Sequence, residues 1–351
     1  MLKKALAILL ALAMVITLFA GCQKSDSTAN KNDSASQDGT APAVEKKDFT
    51  LKVWTFQTFS NETDQRVIDQ IQKYSQYSGV NVVVETVPET TYTPKFTASL
   101  EAGALPDVMC MRPDHINITY PNVPFLDLTE IYKEIEKNTG RKFIQSYIDH
   151  LTTDGKVYGI PFFTSGQPGV YRADLFKKAG YDKLPETWDE ICEAVLKVSD
   201  PANGIYGLGI GCGPTDNDGE TALRLWIWSE GGALFDENGN PVINSPEAIK
   251  ATEFYAEILQ KYGPPGAATY GWEENRIVFQ NGEAAMTIDA TVNGALAEDP
   301  KQSKVAGKVG YTQVPKAAEK LYGSPNSVQV HALYVSSFSK NKEAAWKFVS
   351  W

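Results

Sequence analysis

Between residues 49 and 351 the apolar positions keep two rhythms in turn, period two over short runs and period 3.6 over longer ones, which predicts strands alternating with helices. Residues 51–53 make a short strand. Residues 64–77 place Val67, Ile68, Ile71 and Tyr74 on one face, as an amphipathic helix requires, and residues 80–87 are a β-branched strand. A helix over 92–102 is stopped by Gly103, and the extended dipeptide Leu105-Pro106 leads into a strand over 107–111. This order, βαβαβ, predicts a mostly parallel sheet.

Helices over 128–137 and 143–151 follow, then a turn at Asp154-Gly155-Lys156 and an extended apolar segment over 157–163 that contains Pro161. The pattern then restarts. A short helix over 173–178 closes at Gly180, and Thr187 is expected to cap a helix with Trp188, Ile191, Cys192, Val195 and Leu196 on one face. A strand over 206–210 and a helix over 220–229, ended by Gly231-Gly232, complete a second unit of the same kind. Ser245-Pro246-Glu247 reads as a helix start, with a cap, a proline at the first position and an acid against the dipole; the helix is expected to reach Tyr262. Helix 272–281, strands 284–288, 309–314 and 332–335, and a helix from Lys342 still running at Trp351 close the series.

Composition adds a compartment. Behind Lys3-Lys4, residues 5–19 are apolar but short for a bilayer span, and Leu18-Phe19-Ala20-Gly21-Cys22 resembles the lipobox of a bacterial lipoprotein. Residues 1–21 are therefore expected to be a removable signal, with Cys22 carrying lipid at the new terminus; an ordinary secretory leader is the plainer alternative. Residues 22–47 lack aromatics, are rich in Ser, Asp, Asn, Lys and Ala, and read as a flexible tether. Formal charge is −10, and loss of Lys3 and Lys4 with the signal makes it about −12, which disfavours nucleic acid and anionic lipid as partners. The remaining cysteines, Cys110, Cys192 and Cys212, form no CxxC pair; buried unpaired thiols are favoured over a Cys192–Cys212 bridge.

Six short motifs in register then point to a family: Leu51-Lys52-Val53-Trp54, Leu105-Pro106-Asp107-Val108, Tyr158-Gly159-Ile160-Pro161-Phe162, Tyr171-Arg172-Ala173-Asp174-Leu175-Phe176, Thr187-Trp188-Asp189-Glu190 and Phe279-Gln280-Asn281-Gly282-Glu283-Ala284-Ala285-Met286. Together they resemble the family 1 extracellular solute-binding proteins of carbohydrate-type ABC transporters. Ile288-Asp289-Ala290-Thr291-Val292 and the run 304–310 resemble the sorbitol and mannitol binders among them. The resemblance implies an α/β, periplasmic-binding-protein-like type II fold, with two α/β lobes on mostly parallel central sheets joined by hinge crossings. One lobe is expected to comprise 48–160 and 315–351, the other 161–314, with crossings at 158–163 and 313–316; a third crossing and final helices are expected beyond Trp351. It implies a monomeric surface lipoprotein, Gram-positive by its anchoring, that captures a sugar or polyol for an ABC permease and needs no cofactor or metal. A receptor reporting to a sensor kinase uses the same clamp.

A carbohydrate needs aromatic plates for its C–H faces and carboxylates, amides or arginines for its hydroxyls. The chain has 16 Tyr, 15 Phe and 7 Trp. Candidates at element ends are Trp54, Gln57 and Phe59 after the first strand, Asp114 past the third, Tyr171, Arg224, Trp228, Trp272 and Asp289. Each has a plainer role: Trp54 as core, Asp114 in a turn, Arg224 as a partner for Glu220 four residues earlier. Asp107, after Pro106, is set aside as a cap for backbone amides. Trp226 and Trp228 lie about 200° apart on their helix, so only one of them faces a cleft, and Trp228 is preferred. An enzyme is disfavoured: no nucleophile elbow, zinc helix or P-loop is present, and His115, His150 and His331 are scattered.

Overall fold

Strands and helices fall almost where the apolar rhythm places them, within a computed structural model that describes residues 45–58, 60–113, 124–213, 218–316 and 328–351. In chain order these are β1 (Thr50–Phe56), α1 (Asn61–Ser78), β2 (Asn81–Val87), α2 (Glu89–Glu101), β3 (Val108–Met111), α3 (Thr129–Thr139), α4 (Gln145–His150), β4 (Thr152–Thr153), β5 (Lys156–Val157), β6 (Gly159–Ser165) and β7 (Gly169–Arg172). There follow α5 (Ala173–Lys178), α6 (Trp188–Val198), β8 (Tyr206–Gly209), α7 (Asp218–Ser229), α8 (Pro246–Tyr262), α9 (Trp272–Asn281), β9 (Ala284–Ile288), α10 (Thr291–Ala297), β10 (Val309–Thr312), β11 (Gln329–Val335) and α11 (Lys342–Ser350). The described residues belong to one compact unit. Among them no helix is long and apolar enough to cross a membrane. Cys22 and its leader lie outside the described residues.

Two sheets organise the unit. The first has the order β2-β1-β3-β11-β6 and the second β10-β7-β9-β8. Both are mixed, where the βαβ rhythm predicts mostly parallel sheets: β1 runs parallel to β2 and β3, but β11 runs against β3 and β6, and β7 runs against β9 and β10. The antiparallel members are strands that arrive from the other sheet, whose direction no local pattern encodes.

Alternation along β1 feeds both faces of the first sheet. Leu51 and Val53 pack with Ile71, Tyr74 and Phe348 under α1 and α11, whereas Trp54 and Phe56 pack with Tyr92, Phe96 and Met111 under α2. Caps behave as their chemistry requires at α1, where Ser60 Oγ accepts from the Thr63 N–H and Gly79 closes the helix at φ 73°. At α8 the Ser245 hydroxyl accepts from Ala248 N–H, with Pro246 following. Thr187 occupies the expected cap position of α6, but its hydroxyl donates to Glu190 Oε2 at 2.7 Å instead of accepting a helix N–H. Asp107 does cap backbone: Oδ2 accepts from Lys52 N–H at 2.8 Å and Oδ1 from the Ser339 hydroxyl.

The crossings differ from expectation. Residues 159–165 remain in the first sheet as β6, paired with β11, so the chain passes between sheets at Gly166-Gln167-Pro168. Pro161 is tolerated because the β6–β11 register shifts between His331 and Ala332, beside the position that has no N–H to give. Residues 313–316 are fastened to the second lobe. Val314 is buried in its core, Ser229 Oγ donates to Pro315 O at 3.1 Å, and Lys316 exchanges backbone hydrogen bonds with Glu186 and Trp188.

One close approach positions a functional wall. A Cβ on Gly211 would stand 2.1 Å from Tyr270 O and 2.3 Å from Asn275 Nδ2, so only glycine lets the loop after β8 lie against the start of α9. Gly211→Ala is expected to cost ~1–3 kcal/mol through overpacking, read as a lowered melting temperature. An unchanged melting point would mean that this contact relaxes freely.

Candidate functional site

The carboxyl ends of β1 and β3 open on a cavity of about 440 Å³ between the two sheets, the place where open α/β sheets offer loops and helix N-termini to a ligand. Its first wall comes from Phe56 and Gln57 on β1 and its exit, Arg112 after β3, Phe162 and Phe163 on β6, and His331 on β11. Facing it are Thr221 on α7, Trp272 at the start of α9, Asp289 after β9, and Thr291 and Val292 opening α10. Gly166 and Gln167, on the crossing, border both walls.

Aromatic rings form much of the first wall. His331 stacks on Phe163 with centroids 4.0 Å apart and planes 13° from parallel, and the Phe56 ring meets its edge at 4.6 Å. Strand register causes this contact, since His331 is the β11 partner of Phe163. Phe162 turns outward at the rim and is 47% exposed. Opposite, the half-buried Trp272 holds the Arg276 guanidinium 5.7 Å from its ring centroid, one helical turn on.

Polar side chains fill much of the rest of the lining. Arg112 Nη1 meets Glu89 Oε1 at 2.7 Å, with both side chains nearly buried. Asp289 Oδ1 accepts the Ala290 N–H at 2.6 Å. Burial pushes the Cys110 thiol, also in the lining, up to about 12, so it stays neutral and poorly nucleophilic at physiological pH. Among the described residues no group of three or more His, Cys, Asp or Glu is placed to hold a metal ion.

The crossing is clasped to the second wall. Gly166 N–H donates to Thr291 Oγ1 at 2.9 Å, and both the hydroxyl and the N–H of Thr291 donate back to Gly166 O, at 3.0 and 2.9 Å. Asp289 N–H reaches Pro168 O at 3.4 Å. The loop carrying Asp289 and the segment joining the lobes thus share one hydrogen-bonded unit.

Of the residues expected from sequence, the structure brings Gln57, Trp272 and Asp289 to the cavity. Trp54 lies in the core instead, 7% exposed, edge-on to Tyr92 with the Lys95 amine over its ring, because it points under α2. Tyr171 packs on Phe176 and lies against Gly310 of the neighbouring β10, away from the lining. Arg224 pairs with Glu220 at 3.0 Å and covers the Trp228 ring at 5.1 Å; both share a helix face with Thr221 but stand outside the lining. Trp226 is core, stacked on Trp188. Phe59 and Asp114 lie outside the described residues. Glu89, Arg112, Phe163 and His331 were not among the expected residues. Arg112, directly after a buried strand, carried a readable signal; Phe163 and His331 meet only through long-range register.

A family model described as bacterial extracellular solute-binding protein matches residues 60–351. The mannitol-binding protein of Pseudomonas aeruginosa is 33% identical over 215 residues, 59% of this chain and 48% of its own length, so the chain spans about half of that relative. An ABC transporter solute-binding protein of Agrobacterium vitis S4, solved with D-mannitol, superposes with TM-score 0.69 at 32% identity over 86% of this chain and 72% of that one. The maltose-bound MalE3 of T. maritima gives 0.71 at 26% identity over 86% and 76%. The fold is that of the type II periplasmic binding proteins.

Proposed function

This chain belongs to the family of bacterial extracellular solute-binding proteins, and from that premise we propose that it captures a neutral sugar or sugar alcohol between its lobes and delivers it to an ABC transporter permease. The observation that carries the reading is the cavity itself, with Phe162, Phe163 and Trp272 as plates and Gln57, Glu89, Arg112 and Asp289 as hydroxyl partners drawn from both walls. Mannitol and maltose, bound by the similar structures, set the range of solutes to test. Solute in the open cleft touches one wall first; the closed form gains the second set of contacts, and that difference in contact drives closure. Residues 166–168 absorb the rotation, with Thr291 holding their second-lobe end.

The site comprises Gln57, Trp272 and Asp289 with Glu89, Arg112, Phe162 and Phe163; Phe59 and Asp114 stay as candidates from sequence. Anchored by lipid on Cys22 at the outer face of a Gram-positive membrane, a monomeric clamp would be held near its permease, and the tether would raise its effective concentration there. Its role is binding without catalysis.

Calorimetric titration of the purified protein against hexitols, pentitols, monosaccharides and maltose tests the reading. One saturable solute class is expected; heats of dilution alone across the panel would overturn it. Asp289→Ala is expected to weaken the bound solute by ~1.5–3 kcal/mol, as for a charged hydrogen bond to hydroxyls, and unchanged affinity would remove Asp289 from the site.

A further inference from the structure

Glu89 and Arg112 reach each other from two different strands' ends. Glu89 lies in the first turn of α2, two residues beyond β2, and Arg112 directly follows β3; β1 lies between them in the sheet. Their 2.7 Å pair therefore spans the end of β1 next to Phe56, with side chains only 14% and 10% exposed. Arg112 is the one arginine or lysine among the described lining residues, which also include the carboxylates Glu89 and Asp289. A nearly buried guanidinium in a cavity is by its chemistry an anion receptor, presenting a planar fork to carboxylate or phosphate. Here a built-in carboxylate already meets it, through Nη1.

Resting on the carbohydrate reading of this cavity, we propose that the Glu89–Arg112 pair is its charge filter: Glu89 neutralises Arg112, so that the site takes uncharged polyhydroxyl solutes and rejects their acids. An uncharged solute accepts from N–H groups of Arg112 and donates hydroxyls to Glu89 and Asp289 without displacing anything. A sugar acid must evict Glu89 or bring a further negative charge beside two carboxylates, and either leaves a charge desolvated and uncompensated. Without Glu89's charge, the same Arg112 becomes the partner of the solute's own carboxylate.

The test is paired calorimetry of the purified protein with D-mannitol against D-mannonate and maltose against maltobionate. The wild type is expected to bind the neutral member of at least one pair and to bind its acid at least ~100-fold more weakly, the scale set by an uncompensated buried charge. Glu89→Gln is expected to narrow that gap by about tenfold or more, weakening the neutral member while strengthening the acid. The double variant Glu89→Gln/Arg112→Gln, which removes both charges of the pair, is expected to lose the gain for the acid. Comparable wild-type affinities for a neutral solute and its acid would overturn the filter without any variant, as would an unchanged gap in a folded Glu89→Gln protein that still binds the neutral solute. A wild type that binds no neutral solute overturns the carbohydrate reading itself, and the filter with it.

Discussion

Trp272→Ala is expected to weaken solute binding by about 30- to 100-fold, ~2–3 kcal/mol, while leaving the melting temperature of the free protein nearly unchanged. Trp272 is the first residue of α9, where a side chain projects from a helix start toward the cavity, and it is the largest ring on the second wall. It is half-buried, with Arg276 over one part of the ring, so its removal opens no sealed core. What is lost is the plate against which a solute's C–H face desolvates, together with the contact that the second wall adds on closure. Calorimetry on wild type and variant measures this directly, and Trp272→Phe is expected to recover most of the loss. Binding within threefold of wild type would move the aromatic plate elsewhere in the cavity.

The largest effect on stability is expected at Trp188. Its ring is 3% exposed and stacks on Trp226 at 3.6 Å, and its indole N–H donates to Ser229 Oγ at 2.8 Å. Ser229 in turn donates to Pro315 O, and the Trp188 N–H donates to Lys316 O. Trp188→Ala therefore empties a large core volume and leaves the Ser229 hydroxyl one partner short, at a cost of about 3–5 kcal/mol. In a domain of this size that lowers the melting temperature on the order of 10 °C. Because the same network fastens residues 313–316 to the second lobe, local amide exchange there is expected to rise as well. A loss below about 1 kcal/mol would mean that neighbouring side chains refill the space, against the usual behaviour of close-packed cores.

Much of the fold was legible because burial on one face writes itself as periodicity. Helix 272–281 and strands 284–288 and 80–87 are examples whose limits in sequence and structure agree to within a residue or two. The exceptions have local causes. The family resemblance placed a crossing at 158–163, yet residues 159–165 stay in the first sheet as β6, where the register shift with β11 accommodates the missing N–H of Pro161. Residues 291–297 contain Asn293 and Gly294, poor helix formers, and the helix there rests on tertiary packing against α9, not on propensity. Strand direction was illegible for β11, since an alternating pattern is the same read either way, and the four residues of β7 were not expected as a strand at all.

The site divided along the same line. Trp272 and Asp289 were readable as chemistry at element ends, and Gln57 as the loop after a strand. Trp54 carries the same signal but points under α2, a fact decided by the packing of Tyr92 and Phe96. The Phe163–His331 stack joins residues far apart in sequence, and the Glu89–Arg112 pair needs the order β2-β1-β3 to be known before the two side chains can be brought together.

Amide hydrogen exchange, measured with and without a saturating concentration of the solute that calorimetry identifies, tests the central claim most directly, namely that one solute is gripped by both walls of the cavity between the sheets. Slowed exchange is expected together in residues 55–58 and 162–167 of the first wall and its crossing and in 289–295 of the second. Protection confined to one wall, or lying away from the cavity, would contradict it.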